Sequence, residues 1–385
     1  MRQGMPKPEK RKIKLLVNAI ALTNIGTGIG RYIRNLYTEL ETRHGNHLDI
    51  TYFDGKHLSK TMPSGPLDNR RWSLATHLFW RLPPRVGLAV RSTMHSKRET
   101  AFHRLAASYD LYHEPGFFPF RVPEHVKTVF TIHDMSVHRH PEHHPKERVL
   151  FYDNFFPARS RQADHILTVS EFSKSEILAC TDFQPGQIHV TPLGYDPSVF
   201  FSAKPEDSKE VLAKLNLPDR YFIFLGTDDP RKKLHLIPPA LKCAALNVPL
   251  VVAGWSGWSN KGAPENVINL GYLPDDTMRI VLSNALALVF PSIYEGFGLP
   301  ILEAMACGCP VVTNHMASMP EVGGNAVIYL KKPGNVQEMG NCLKEIANNQ
   351  DLRRGLIRKG LERARTFSWE KTAAKTFEVF MKSCN

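Results

Sequence analysis

FPSIYEGFGLPILEAMACGCPVV, Phe290 to Val312, reads as the end of one strand, a glycine-rich loop, a helix and the start of another strand. The apolar run LALVFPS (286–292) that leads into it suits a buried parallel strand. Pro300 fits a first helical turn, where its missing N–H would have had no partner. Gly308 then ends the helix and Pro310 opens the next strand. The helix is therefore predicted from near Pro300, with Glu295 in the loop before it and Glu303 in its first turn. Gly296 and Gly298 let the backbone approach a ligand closely, and the free N–H groups of a helix start favour an anion, above all a phosphate.

Two glutamates eight residues apart admit other chemistry. A glycosidase pair needs two carboxyls roughly 5–10 Å apart across a sugar, which leaves the glycines and the helix start unexplained. A metal site is poorly supported, because no D-x-D occurs and no histidine stands at ligand spacing beside either glutamate. A tight turn in which Glu303 only complements the helix dipole remains open on this stretch alone.

Outward from this segment, apolar strand-like runs alternate with helical patterns, which is the order of a mostly parallel α/β sheet. In the first half, KIKLLVNAIAL (12–22) reads as a strand, followed by VKTVFTIHD (126–134) and ADHILTVS (163–170). After Gly26, Gly28 and Gly30, the residues Ile33, Leu36, Tyr37 and Leu40 recur at helical spacing on one face. The G-x-G-x-G spacing differs from the G-x-G-x-x-G of a dinucleotide fold, so it reads as a tight turn and argues against an NAD-dependent oxidoreductase. SEFSKSEILAC reads as a helix capped by Ser170. A second series runs YFIFLGT (221–227), PLVVAGW (249–255), NVINLGYL (266–273), LALVFPS and PVVTNH (310–315), with Pro238-Pro239 interrupting the helix after the first of these. PLGYDPSVFFSAKPEDSKE (192–210) is the linker candidate. Two α/β halves joined there leave a cleft between them, faced by the C-terminal ends of their strands.

A chain of 385 residues is natural for two such domains. Its six cysteines are scattered without zinc-type pairing and read as reduced core residues of a cytoplasmic protein. The basic N-terminus followed by a short apolar stretch mimics a signal peptide, but Asn18 interrupts the run and no clean cleavage site follows. The formal charge of +12 implies an anionic partner. Between Lys56 and Arg98 nine Lys/Arg accompany a single acid, Asp68, with Trp72, Phe79 and Trp80 interleaved. That composition suits an anionic membrane surface or a solvated insertion. No RNA- or DNA-binding motif accompanies it, so nucleic acid is not an expected partner.

The Phe290–Val312 segment resembles the donor-site signature E-G-F-G-L-P-x-x-E-A-M-A-x-G-x-P-V-V of the retaining GT-B glycosyltransferases, and the resemblance continues through SMPEVGGNAVIYL (318–330). Further similar motifs are GTGIGR (26–31), IHD (132–134), TVSEFSKSEI (168–177), PLGYDPSVF (192–200), LGTDDPRKKL (225–234), LGYLPDDTM (270–278) and RTFSWEKTA (365–373); nothing is recognised between Gly55 and Tyr109. The resemblance implies two Rossmann-like domains: an acceptor-side domain (12–198) after a flexible basic tail (1–11), and a donor domain (199–365). A C-terminal helix (366–385) would cross back onto the first domain. The implied reaction moves a hexose from a nucleoside-diphosphate sugar to an acceptor hydroxyl with retention, through front-face attack on an oxocarbenium-like centre.

By the same resemblance Glu295 lies against the transferred sugar and Glu303 holds the nucleotide ribose. The backbone around Gly298 and Leu299 faces the diphosphate, joined by Arg231 and Lys232, and Gly296 and Phe297 also belong to the donor site. Many members carry Gly-Arg where this chain has Gly226-Thr227, which makes Arg231 the substitute. His133 contacts the donor sugar, Gly28 and Gly30 form a flexible loop at the cleft, and Tyr272 and Leu273 also belong to the donor site. No metal or cofactor is implied; the nucleotide sugar is a co-substrate. HRHPEHHP (138–145) holds four histidines at irregular spacing and reads as a loop rather than a metal site. The P-R-K phosphate loop with TVSEFSKSEI resembles bacterial mannosyltransferases of surface-polysaccharide assembly. GDP-mannose is thus the first expected donor, UDP-sugars the second, and a glycan or lipid-linked molecule the acceptor. The expected location is cytoplasmic, peripheral to the inner face of the plasma membrane. A sugar-nucleotide-binding protein without catalysis is the competing class.

Overall fold

The computed structural model describes residues 11–23, 28–64, 83–227, 229–254 and 266–384. The N-terminal tail (1–10), Gly26 and the aromatic residues Trp72, Phe79 and Trp80 lie outside these.

Thirteen strands among the described residues form two sheets. The first contains β1 (Ile13–Asn18), β2 (Leu48–Phe53), β3 (Leu58–Ser59), β4 (Leu111–Glu114), β5 (Lys127–Ile132), β6 (His165–Thr168) and β7 (Ile188–Val190), in the order β3-β2-β1-β4-β5-β6-β7. All neighbours are parallel except the antiparallel edge pair β2–β3. The second contains β8 (Phe222–Leu225), β9 (Leu250–Ala253), β10 (Val267–Gly271), β11 (Ala287–Phe290), β12 (Val311–Asn314) and β13 (Ile328–Leu330), all parallel, in the order β10-β9-β8-β11-β12-β13. Helices cover both faces, so the central strands are buried on both sides, with His113 and Glu114 of β4 buried among apolar neighbours. Leu288, Val289 and Phe290 of β11 have no exposed surface.

Strand order reverses between β1 and β4 in the first sheet and between β8 and β11 in the second. At such a point successive crossovers run to opposite sides, and the loops leaving the two strands part to open a crevice. The segments that follow β1, β4, β5, β8 and β11 are therefore the ones positioned to build a site.

Helical segments follow the side-chain pattern. In the helix Gly28–His44 the residues Ile33, Leu36, Tyr37 and Leu40 are wholly buried. The helix Trp369–Cys384 returns to pack on it: Phe377 stacks on His44 with centroids 4.0 Å apart, and Arg43 pairs with Glu370 at 2.9 Å. The return is pinned where Gly194 meets the main chain of Ser368 and Trp369; a Cβ at 194 would come within 2.8 Å of the Ser368 Cα. Pro238-Pro239 falls at the start of the helix Ile237–Cys243, after two short 3-10 turns, so the helix restarts at the prolines.

Some local expectations need correction. The first strand stops at Asn18, and the apolar residues beyond it form a 3-10 turn, Ile20–Thr23. Gly28 and Gly30 belong to the first turn of a helix rather than to a loop. All six cysteines are free, but only Cys307 and Cys309 are core residues, whereas Cys243 and Cys384 are exposed. Among the described residues no helix is long and apolar enough to cross a membrane.

Candidate active site

Beyond β8 the chain passes through Gly226 at φ +141°, a conformation that favours glycine. A Cβ there would overlap the Lys232 ammonium and come within 3.2 Å of its Cδ, so Gly226 leaves the channel through which Lys232 reaches the crevice. The ammonium lies 5.7 Å from the centroid of Phe290, the last residue of β11. Arg231 is held by Asp229, which accepts from its Nε at 3.1 Å and its Nη2 at 2.6 Å. Burial pulls this guanidinium down, but the Asp229 hydrogen bonds and then the Asp134 charge raise it further.

Glu295 follows β11 and accepts from Ser292 Oγ at 3.0 Å. Burial pushes its carboxyl above the ordinary range, and Lys232 first, then Arg231, oppose this. The next residues are clamped. Ser318 Oγ lies 2.8 Å from the Glu295 carbonyl and 2.9 Å from that of Phe297, while Ser170 and Ser173 donate to the Gly296 carbonyl at 2.6 and 3.1 Å. Hydroxyls thus satisfy carbonyls that no ladder could.

Gly296 is needed for domain contact. A Cβ there would overlap the His133 carbonyl oxygen and come within 2.9 Å of its carbon and 3.1 Å of Asp134 Cβ. Its bare backbone is pressed against the first domain, so the close approach assigned to a ligand at this glycine is taken by protein. Phe297 is likewise buried, packed edge-on to Phe367 at 5.7 Å. Gly298 retains the expected role. At φ +98° it precedes the helix Leu299–Ala306, whose start has no side-chain cap, leaving the Leu299 N–H without an intrahelical partner. Glu303 is the fifth residue of this helix, and the first turn holds no acid. It therefore lies just past the first turn, one residue deeper than a start at Pro300 implies, where complementation of the dipole has faded.

The first domain supplies the facing wall. His133 follows β5; its Nε2–H donates to the Pro115 carbonyl at 2.8 Å, and Tyr32 meets its ring edge-on at 4.8 Å. Burial lowers its basicity, so the ring is neutral and Nδ1 is the acceptor. His144 has a buried Nε2 without a hydrogen-bond partner, and burial, then Arg231 and Arg148, push it down to about 4. Arg31, on the helix after β1, donates through Nη1 to Glu303 Oε1 and through Nη2 to Asp275 Oδ1 at 2.6 Å. Tyr272 is 54% exposed at the crevice, whereas the Leu273 side chain is in the core, leaving only its main chain to a ligand. Glu321 caps the helix Glu171–Cys180 from the other domain, accepting from the N–H of Glu171 at 2.8 Å and of Phe172 at 2.7 Å.

Lys232 and Arg231 thus act on the Glu295 carboxylate, the His133 main chain meets the same loop at Gly296, and Glu303 is the fifth residue of the eight-residue helix that follows. Arg31, Asp134, His144, Asp275, Ser173 and Glu321 were missed by sequence reasoning. The signal for Arg31 was present, as the last letter of GTGIGR, but its partner lies 272 residues away. His140, Glu142 and His143 place ligand atoms within 4.8 Å of one another at the surface, a grouping the spacing of HRHPEHHP did not reveal.

Residues 26–199 match the family described as Glycosyltransferase Family 4, and residues 207–363 match Glycosyl transferases group 1. The chain is 32% identical over 374 residues to the O-antigen chain mannosyltransferase B of Escherichia coli, covering 92% of this chain and 96% of that protein. It is 30% identical over 237 residues to the MMP alpha-(1->4)-mannosyltransferase of Mycolicibacterium hassiacum, covering 58% of this chain and 55% of that one. Among solved structures, sucrose-phosphate synthase from Thermosynechococcus elongatus superposes with a TM-score of 0.70 at 19% identity over 97% of this chain and 99% of that chain. With both halves matched and one relative similar along nearly its whole length, the chain belongs to the GT-B glycosyltransferases of the family 4 and group 1 type.

Proposed function

We propose that this glycosyltransferase moves mannose from GDP-mannose to a hydroxyl of a glycan or lipid-linked acceptor in surface-polysaccharide synthesis, with retention and without a metal cofactor. One arrangement carries the reading: Lys232, Glu295, the uncapped helix start at Gly298–Leu299, and Glu303 follow one another along the crevice at the β8/β11 switch point. The sugar sits at Glu295 and His133, the diphosphate at the helix start beside Lys232 and Arg231, the ribose at Glu303 and the base near Tyr272. As the bond from C1 to the phosphate oxygen breaks, negative charge grows on the diphosphate, where fixed cations and an N–H donor are already in place. The acceptor oxygen bonds to C1 from the same face and its proton passes to the departing phosphate oxygen. Glu295 stabilises positive charge on the sugar. The similarity to mannosyltransferases supports mannose.

A thermal-shift panel of GDP-, UDP- and ADP-sugars tests the donor. GDP-mannose is expected to stabilise the chain most, by about 2.7 kcal/mol at a hundred times its Kd. A larger shift with a UDP-sugar would favour the UDP-dependent alternative, and no shift with any of them would contradict the donor site. An α-mannosyl first product is the outcome that retention requires.

We further propose that the first domain docks on an anionic bilayer. The helix Pro84–Ala106 exposes Val86, Val90 and Met94, at 47%, 42% and 50%, one turn apart on one side, with Leu150 exposed on the neighbouring helix. Arg85, Lys97 and Arg104 of the same helix are exposed, while its one acid, Glu99, is buried against Arg159 at 2.7 Å. On the helix Pro84–Ala106 the apolar stripe is bordered by exposed cations and by no exposed acid, which suits a surface of anionic lipid. Flotation with phosphatidylglycerol-containing vesicles is expected to carry the protein, with Val90→Asp/Met94→Asp abolishing it; no binding to any vesicle would contradict this.

A further inference from the structure

Arg31 belongs to the first domain, yet its guanidinium is engaged by the second. Nη1 donates to Glu303 on the helix Leu299–Ala306, and Nη2 donates to Asp275 on the helix Asp275–Asn284 at 2.6 Å. Its flat face lies 5.4 Å from the centroid of Phe200, in the connector between the sheets. One cation thus joins two helices of the donor domain from the opposite wall.

Glu303 is 4% exposed. A carboxylate at that depth keeps its charge only beside a partner. The charged or titratable groups that face it are Arg31, Asp275 and, on its own helix end, Cys307. Burial and Asp275 both push Glu303 towards its protonated form, and Arg31 alone among these pulls the other way. Arg31 also takes a single oxygen, Oε1. The second oxygen is outside this pair.

We propose that Arg31 is the positioning residue for ribose recognition: from the opposite domain it holds Glu303 ionised and oriented, so that the carboxylate accepts the ribose hydroxyls only when the two domains meet at this contact. This rests on the reading that Glu303 holds the ribose. The chemistry is that a vicinal diol offers two O–H donors. An ionised carboxylate accepts both, whereas a protonated acid presents a donor of its own. Donor recognition is thereby tied to domain pairing through one guanidinium. A clasp that only ties the domains together would weaken nucleotide binding by the same factor at every pH. A residue that sets the ionisation of Glu303 changes the pH dependence itself.

The test is calorimetric titration of the full chain with GDP between about pH 5 and 8, together with kinetics on GDP-mannose. Arg31→Ala is expected to weaken GDP binding roughly 10- to 100-fold near neutrality. It should also move the acid limb of binding up by about 1–3 pH units, raising KM more than it lowers kcat. Arg31→Gln, which retains a side chain over Phe200, should do the same if the alanine variant folds poorly, and Arg31→Lys should restore the wild-type limb. Wild-type affinity in the alanine and glutamine variants, or a loss with the limb unmoved, would overturn the proposal. Glu303→Ala separates the two levels. Wild-type GDP affinity in that variant defeats the ribose reading itself, whereas a loss there without one in Arg31→Ala defeats only the role of Arg31.

Discussion

Glu295→Ala is expected to lower mannosyl transfer by about 10²- to 10³-fold, while GDP affinity stays within about twofold, the pattern of an interaction made only in the transition state. The residue touches the sugar end of the proposed donor, so GDP, which lacks the sugar, should bind without it. Its carboxyl is raised by burial and held down by Lys232 and Arg231. Protonation therefore begins at a higher pH than for an ordinary carboxylate, and the negative charge that stabilises an oxocarbenium-like centre disappears as the pH falls through that range. In kcat this produces an acid limb above the usual carboxylate range, which the alanine variant should lack. Steady-state kinetics with GDP titration checks both parts; equal loss of rate and of GDP binding would move Glu295 out of the sugar site.

Gly296→Ala should be nearly as damaging for a different reason. The added methyl would overlap the His133 carbonyl oxygen and lie 2.9 Å from its carbon, and these are main-chain atoms at the end of β5 that cannot rotate aside. Relief requires the loop to withdraw from the first domain, breaking the Ser170 and Ser173 hydrogen bonds to the Gly296 carbonyl. Overpacking of this kind costs about 1–3 kcal/mol, and an ångström of displacement between sugar and acceptor walls costs roughly 100-fold in rate. The expected result is a lowered melting temperature with at least that loss of kcat/KM. Unchanged kinetics would show that the loop tolerates a different seat.

β1, β5, β6 and β8 to β12 were legible because each is a local apolar run, whereas β2, β4, β7 and β13 went unread. Phe222–Leu225 and Ala287–Phe290 are apolar on both faces, and no distant residue is needed to recognise that. β3, two residues long, carries too little pattern to see. The apolar run after Lys12 continues past Asn18 into a 3-10 turn, so composition alone extended the first strand too far. The helix start at Gly298 was visible in its Gly and Pro, but its exact first residue was not, which placed Glu303 one position too early, inside the first turn. What was least legible is the domain contact. Gly296 against His133, Arg31 against Glu303 and Glu321 on the helix Glu171–Cys180 each join residues more than a hundred positions apart. No local period encodes such pairs.

The central claim is that Glu295 and Glu303 hold two ends of one donor, and saturation-transfer NMR of GDP-mannose on the wild type and the two alanine variants tests it most directly. The account predicts saturation of both mannose and ribose protons in the wild type, loss of the mannose signal in Glu295→Ala with the ribose signal kept, and loss of the ribose signal in Glu303→Ala. Identical saturation patterns in all three proteins would contradict it.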